Sequence, residues 1–238
     1  MELKTEAVVL RAANYKESDM LLTLYSLNDG KITAKISGVK KANAKLKFCT
    51  QPFCFAEFML SKRGDFHTVT NAACIDMFYQ DADINKIYAG FTALEIVSNL
   101  GGGENKDRFY QLVNFLKELK YGEVNYLTLL NSFLLNFLKS EGYGIFSANC
   151  PVCGKKIEDR VKFDFESAAF FCFDCNEQGT EIRRETYLTF EKFSNNNFDV
   201  TEKGNIGLLK LLDFYITEKL NFNIKSLSEL LKLSFGLK

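Results

Sequence analysis

A chain of 238 residues in which 47% of side chains are apolar can bury a sizeable core and divides most naturally into two domains. Its 30 basic and 30 acidic residues cancel, which excludes a globally basic nucleic-acid binder and leaves only local patches for that role. Two prolines, Pro52 and Pro151, argue against long Pro-rich linkers and for continuous helices.

The first eighty residues read as about five short strands. Glu6 to Asn14 and Leu21 to Leu27 come first, and from Gly30 the alternation is clean. Ile32, Ala34 and Ile36 face a core while Lys31, Thr33, Lys35 and Ser37 face outward. In Phe53 to Leu60, Phe53, Phe55 and Met59 share one face, but Cys54, Phe58 and Leu60 make the other apolar too. A strand apolar on both faces is expected to have one side in a barrel and the other covered by a second domain. Phe66 to Ile75 completes a set that suits a small five-stranded barrel such as an OB-fold. Spacing alone leaves OB and SH3-like barrels both open.

After Tyr79 the period becomes helical. Ile84, Ile87, Tyr88, Phe91 and Leu94 recur until Gly101-Gly102-Gly103 breaks the pattern. A second helix carries Phe109, Leu112, Val113, Leu116 and Leu119 on one side. A third, Tyr126 to Lys139, is apolar almost all round and belongs at the centre of a bundle. It is too short to span a bilayer, and Thr128, Asn131, Ser132 and Asn136 interrupt it. Helices resume near Thr186, with Ile206 to Leu220 and Ser226 to Leu233 the last two, and Asn195-Asn196-Asn197 reads as a turn. The expected fold class is α+β. An OB-fold barrel over residues 1–79 precedes a helical domain over 80–238, with a four-cysteine module inserted at about 147–178.

That module is the most specific signal. Cys150-Pro-Val-Cys153 and Cys172-Phe-Asp-Cys175 are two C-x2-C pairs separated by eighteen residues. Each such turn places two thiolates on one edge of the tetrahedron that zinc requires. Gly154 suits the knuckle. Val161, Phe163 and Phe165 alternate as a strand that Glu166 to Ala168 turn back toward Phe170 and Phe171. Four thiolates close the coordination shell, so the expected zinc is structural, not catalytic. Cys49, Cys54 and Cys74 read as small buried hydrophobes of the barrel. No export signal opens MELKTEAVVL. With paired cysteines suited to metal and not to disulfides, a cytoplasmic protein without a membrane partner is expected.

From Gly30 to Ala56 there are six lysines, Lys31, Lys35, Lys40, Lys41, Lys45 and Lys47, and no acidic residue. Ammonium groups without countercharges suit a phosphate backbone, and in OB-folds a strand face with its neighbouring loops is the usual track. An enzymatic reading finds little support. The single histidine, His67, lies in the strand-like DFHTVT with no evident nucleophile or carboxylate partner, and the glycine triplet lacks the Lys-Ser/Thr of a phosphate loop.

The stretch VLRAANYKESDMLLTLYSLNDGKITAKISGVKK closely resembles the amino-terminal barrel of RecO, the bacterial recombination mediator family. The resemblance is carried by Arg11, Tyr15-Lys16-Glu17-Ser18-Asp19, Leu21-Leu22-Thr23-Leu24, and Gly38 followed by Lys40 and Lys41. Gln51-Pro52-Phe53, the cysteine module and Lys225-Ser226-Leu227 add to it. It implies an OB-fold followed by a helical domain with a zinc module. It further implies binding of single- and double-stranded DNA, annealing of complementary strands, and work with RecR to load RecA onto strands coated by single-strand binding protein. The basic DNA-contacting loop of the family falls on Lys40, Lys41 and Lys45, with Lys35 on the preceding strand. Two other classes stand beside this one: a zinc-stabilised protein-interaction adaptor with little DNA affinity, and a zinc hydrolase, which the closed four-cysteine set disfavours.

Overall fold

The first five elements are strands, alternating apolar and polar in β3 and apolar on both faces in β4: β1 (Glu2–Tyr15), β2 (Asp19–Ser26), β3 (Gly30–Ile36), β4 (Cys54–Arg63) and β5 (Phe66–Met77). The computed structural model describes residues 2–64, 66–78, 83–146 and 149–236. Tyr79 and Gln80, at the expected domain division, and Ser147 and Ala148, at the start of the expected module, lie outside them.

The five strands close into a barrel in the order β1-β2-β3-β5-β4. All neighbours are antiparallel except β3 and β5, which pair in parallel through Ala34 with His67 and Lys35 with Thr68. This is the five-stranded barrel of an OB-fold. Val9, Leu22, Leu24, Ile32, Ile36 and Phe58 fill its interior. Each such side chain withdrawn from water contributes roughly 1.5–3 kcal/mol before the entropy of ordering is subtracted.

β4 is apolar on both faces because it serves two cores. Cys54, Ala56, Phe58 and Leu60 point into the barrel. On the outside, Phe55 stacks on Phe78 at 5.9 Å between ring centroids and lies 6.1 Å from Phe109. The cover comes from α1 (Ile84–Leu100) and α2 (Lys106–Tyr121), which pack with the barrel in one compact unit over residues 1–123. Asp83 and Asn105 cap their N-termini, accepting from the Asn85 and Arg108 backbone N–H groups. The buried face of α1 keeps part of the stripe expected from Ile84 to Leu94: Leu94 is buried and Ile87, Tyr88 and Phe91 are half-buried, but Ile84 is exposed. The small residues Ala89, Gly90 and Ala93 are buried beside them, with Ile96 and Val97 further along. The reason is close approach: a Cβ on Gly90 would lie 2.7 Å from the Phe53 ring.

The second compact unit, residues 124–238, contains α3 (Tyr126–Ser140), β6 (Val161–Asp164), β7 (Ala169–Cys172), β8 (Thr180–Ile182), α4 (Arg184–Ser194), α5 (Glu202–Leu220) and α6 (Lys225–Phe235). β6 and β7 form the expected hairpin, and β8 adds a third strand on the other edge of β6. Phe163 and Phe170 on the hairpin's inner side meet Tyr215 of α5 and Tyr187 of α4. Buried polar groups join α3 to α5. Asn131 donates to the Asn205 side chain at 3.0 Å, and Asn205 donates to the Thr128 hydroxyl at 2.9 Å.

Candidate nucleic-acid interface and metal centre

The segment after β3 is amphipathic without being regular. Val39 is buried in the barrel core, and Leu46 and Phe48 pack against it, so the intervening lysines are turned outward. Lys40, Lys41, Lys45 and Lys47 are all exposed. Successive backbone turns hold the path: Lys41 N–H to Gly38 O at 3.2 Å, Ala44 N–H to Lys41 O at 3.1 Å and Lys47 N–H to Ala44 O at 3.2 Å. Gly38 starts the loop at φ +65°, a left-handed conformation that glycine adopts without steric cost.

Asp19, at the beginning of β2, anchors this loop. Its carboxylate accepts from the Gly38 backbone N–H at 2.8 Å and pairs with Lys35 Nζ at 3.2 Å. The neighbouring Ser18 carbonyl accepts from the Lys40 N–H at 3.0 Å. The Gly38 N–H, outweighing the desolvation that works against it, holds the Asp19 carboxyl below the usual carboxylate range, with Lys35 and Ser18 assisting. Asp19 was visible in the sequence only within a family-like stretch. Its role depends on a turn that brings residue 19 beside residue 38.

The strand register divides the outer face of β1, β2 and β3 into two parts. Val8, Tyr25 and Lys31 are cross-strand neighbours. Val8 and Tyr25 are fully buried; the Tyr25 ring lies 6.3 Å from Phe109 of α2. Lys31 donates to the Ser98 carbonyl in the last turn of α1 at 2.8 Å, a favourable place for a cation. The next rows are open. Arg11 pairs with Thr23 and Thr23 with Thr33; Ala13 pairs with Leu21 and Leu21 with Lys35. Arg11 and Thr33 are exposed and Lys35 is half-exposed. Of the six lysines singled out in the sequence, four thus line one loop, Lys35 sits beside it on the open face, and Lys31 is engaged by α1. Arg11 shares the open face and was not among them; its outward direction follows from a register shift between Val9 and Arg11 that alternation does not reveal.

His67 is half-buried in β5 opposite Ala34 and Lys62, and no catalytic arrangement surrounds it among the described residues. Cys49 and Cys54 are buried as expected, and burial pushes their thiols up to about 11 and about 12. Cys74 departs from that expectation. It is exposed, at a point where the β4–β5 register shifts by one residue and its neighbours no longer alternate in and out.

The second centre is built by two knuckles. Gly154 N–H returns to the Cys150 carbonyl at 2.9 Å, Cys150 N–H binds the Lys155 carbonyl at 2.9 Å, and Gly154 takes φ +69°. β6 and β7 then carry the chain out and back to Cys172, and a short 3-10 turn, Phe173–Cys175, presents the last thiol. The sulfurs of Cys150, Cys153, Cys172 and Cys175 all lie within 4.8 Å of one another. Cys153 and Cys172 are 3.8 Å apart, too far for a disulfide. Four thiolates about 2.3 Å from a zinc ion would have tetrahedral edges of about 3.8 Å, so the donor set fits such an ion. Burial opposes ionisation of Cys150, but the N–H groups of Cys153, Cys172 and Val152 aim at its sulfur and hold it down to about 6. Burial first, and then the neighbouring sulfurs, push Cys172 up. The Cys153 thiol is the foremost influence raising Cys175. Crowded thiols of this kind ionise together only when a cation compensates them. Around the site, the Arg160 guanidinium stacks 3.3 Å from the Phe173 ring centroid and binds Glu181 through two contacts of 2.9 and 3.0 Å.

The family described as Recombination protein O N terminal matches residues 1–78, the barrel. The one described as Recombination protein O C terminal matches residues 81–228. The chain belongs to the recombination protein O family. Among curated relatives, DNA repair protein RecO of Acetivibrio thermocellus is 29% identical over 237 residues, covering 94% of each chain. The protein of the same name from Clostridium perfringens is 28% identical over 240 residues, covering 97% of each. That of Syntrophomonas wolfei is 26% identical over 248 residues and 98% of each. Membership in the recombination protein O family thus rests on both halves of the chain. Among the described residues, no helix is long and apolar enough to cross a membrane.

Proposed function

We propose that this chain is a non-enzymatic mediator of DNA repair and recombination. It binds single- and double-stranded DNA, anneals complementary strands, and works with RecR to load RecA onto strands coated by single-strand binding protein. The observation that supports a DNA-binding role best is the anchored loop. Lys40, Lys41, Lys45 and Lys47 are exposed together beside an open sheet face carrying Arg11 and Lys35, on a chain whose net charge is zero. Flexible, hydrated ammonium groups suit a phosphate backbone without selecting a sequence. The four-cysteine cluster holds a structural zinc ion in this reading, because four thiolates leave no open position for substrate.

A filter-binding titration with single-stranded DNA over a series of salt concentrations tests the proposal. Each phosphate neutralised on a single strand lowers log K by about 0.7 per decade of salt. Four lysines give a slope near −3, and Lys40→Ala with Lys41→Ala makes it shallower by about 1.4. The decrease is the same for every DNA sequence, because phosphate contacts carry no base information. An unchanged slope moves the DNA site off this loop. Failure of the parent protein to bind at low salt favours a protein-interaction adaptor instead.

A further inference from the structure

Two exposed aromatic rings flank the open sheet face, and electrostatics alone gives neither a role. On β1, Arg11, Ala13 and Tyr15 alternate outward, while Ala12 packs inward against the barrel core. Tyr15 is the last of the row, directly across the β1–β2 hairpin from Asp19. Tyr15 is 38% exposed, with the Lys16 ammonium 5.5 Å from its ring centroid. Asp19 and Ser18 hold the lysine loop by the hydrogen bonds to Gly38 and Lys40, so Tyr15 stands at the loop's edge. At the opposite side, Lys35 pairs with Thr68 of β5. Val69 points into the barrel; Thr68 and Phe66 therefore share the outer face. Phe66 is 78% exposed. The strip between the rings is polar or small: Arg11, Ala13, Thr23, Thr33 and Lys35, with Leu21 the single larger apolar residue. The Asp19 carboxylate on this face is neutralised by Lys35, and Glu17 at the hairpin turn is exposed.

We infer that Tyr15 and Phe66 are base-stacking platforms, and that they make this face prefer unpaired over paired DNA. Phosphates on the lysines would leave bases turned toward the sheet, where a flat ring offers each one a π-face. A stacked base covers such a ring and is sequence-tolerant, because every base has such a face. Duplex DNA keeps its bases inside the helix and gains nothing from the rings. This rests on the DNA-binding reading above but is separable from it, since lysines bind both forms of DNA and the rings only one.

The chain contains no tryptophan, so Tyr15→Trp or Phe66→Trp introduces a sole indole reporter. Titration with oligodeoxythymidine is expected to quench each reporter, and titration with a blunt duplex to leave it nearly unchanged. Tyr15→Ala and Phe66→Ala each lower affinity for the oligonucleotide by roughly five- to hundredfold, while duplex affinity stays within about twofold. Tyr15→Phe keeps the ring and keeps single-strand affinity. Both positions are exposed, and an unchanged thermal transition shows that the alanine variants are folded. Parent protein that binds oligodeoxythymidine while both indoles stay silent and both alanine variants bind normally overturns the inference and leaves the lysine loop intact. Equal losses for single strand and duplex overturn it also, by making the rings structural. Parent protein that binds neither DNA removes the DNA-binding reading itself, and this inference with it.

Discussion

In the proposed DNA-binding reading, Asp19 both supports the lysine loop and opposes its ligand. Its Oδ1 accepts the Gly38 N–H and its Oδ2 holds the Lys35 ammonium. The first contact shapes the loop; the second would withhold a cation from phosphate. The two can be separated. Asp19→Asn keeps an acceptor for Gly38 but releases Lys35, so single-strand affinity is expected to rise and the salt slope to steepen by about 0.7. Asp19→Ala removes both contacts; the loop loses its anchor, and affinity is expected to fall despite the freed lysine. Filter binding of both variants at matched salt checks the opposite signs. Equal changes in the two would mean that the Gly38 contact has no influence on the loop. At this scale the sequence was partly legible. The lysines were visible as a run without acids, whereas the engagement of Lys31 by the Ser98 carbonyl depends on a helical residue 67 positions away in the chain.

Among the elements, the clasp between β5 and α2 can be tested by pH. Asp76 accepts from Lys120 Nζ at 2.9 Å and from the Tyr121 hydroxyl at 2.9 Å. Partial burial works against the Asp76 carboxylate, but Lys120, Tyr121 and the Met77 N–H outweigh it and hold the acid below its ordinary range. A depressed folded-state pKa adds stability above the unfolded carboxylate's value, near 4, and that stability is lost as pH falls through the folded value. Asp76→Asn is therefore expected to destabilise by about 1 kcal/mol at neutral pH. The gap to the parent, read from urea midpoints, narrows between pH 5 and pH 3. A gap that is constant with pH would show that the charge contributes nothing. The strands and helices joined here were legible from alternation and helical spacing, because those periods are local. What joins them was not. The parallel pairing of β3 with β5 needs long-range closure. Gly30, at the start of β3, permits close approach to the segment after α1: a Cβ on it would lie 2.0 Å from the Gly103 carbonyl oxygen. On α5, a Cβ on Gly204 would meet the Thr189 hydroxyl at 2.1 Å. Hydrophobic patterns give glycine no weight, so close approaches of this kind leave no trace in them.

At the scale of the whole molecule, the proposal places metal and DNA on different compact units. The cysteine cluster lies within residues 124–238 and the lysine loop within residues 1–123. The cluster was the most legible feature of the sequence, because two knuckles of fixed spacing encode their geometry locally; the shape of the unit they stabilise was not, since β8 has no strong alternation. If zinc is the bound ion, its binding free energy is folding free energy for the second unit. Protein purified without chelator is then expected to contain about one zinc per chain, and Cys172→Ser to lose it. Removing the ion also exposes the buried Cys150 sulfur and loosens the hairpin whose Phe163 and Phe170 pack on α4 and α5. Hydrogen exchange followed by mass spectrometry should therefore show α3 to α6 losing protection in chelator while β1 to β5 keep theirs. Single-strand binding by the chelated protein should retain its salt slope, because none of the lysines depends on the ion. Metal analysis that finds no zinc would remove the ion from the proposal. Zinc present, but with protection lost equally across both units, would show instead that the two units fold as one and that the metal governs the DNA surface as well.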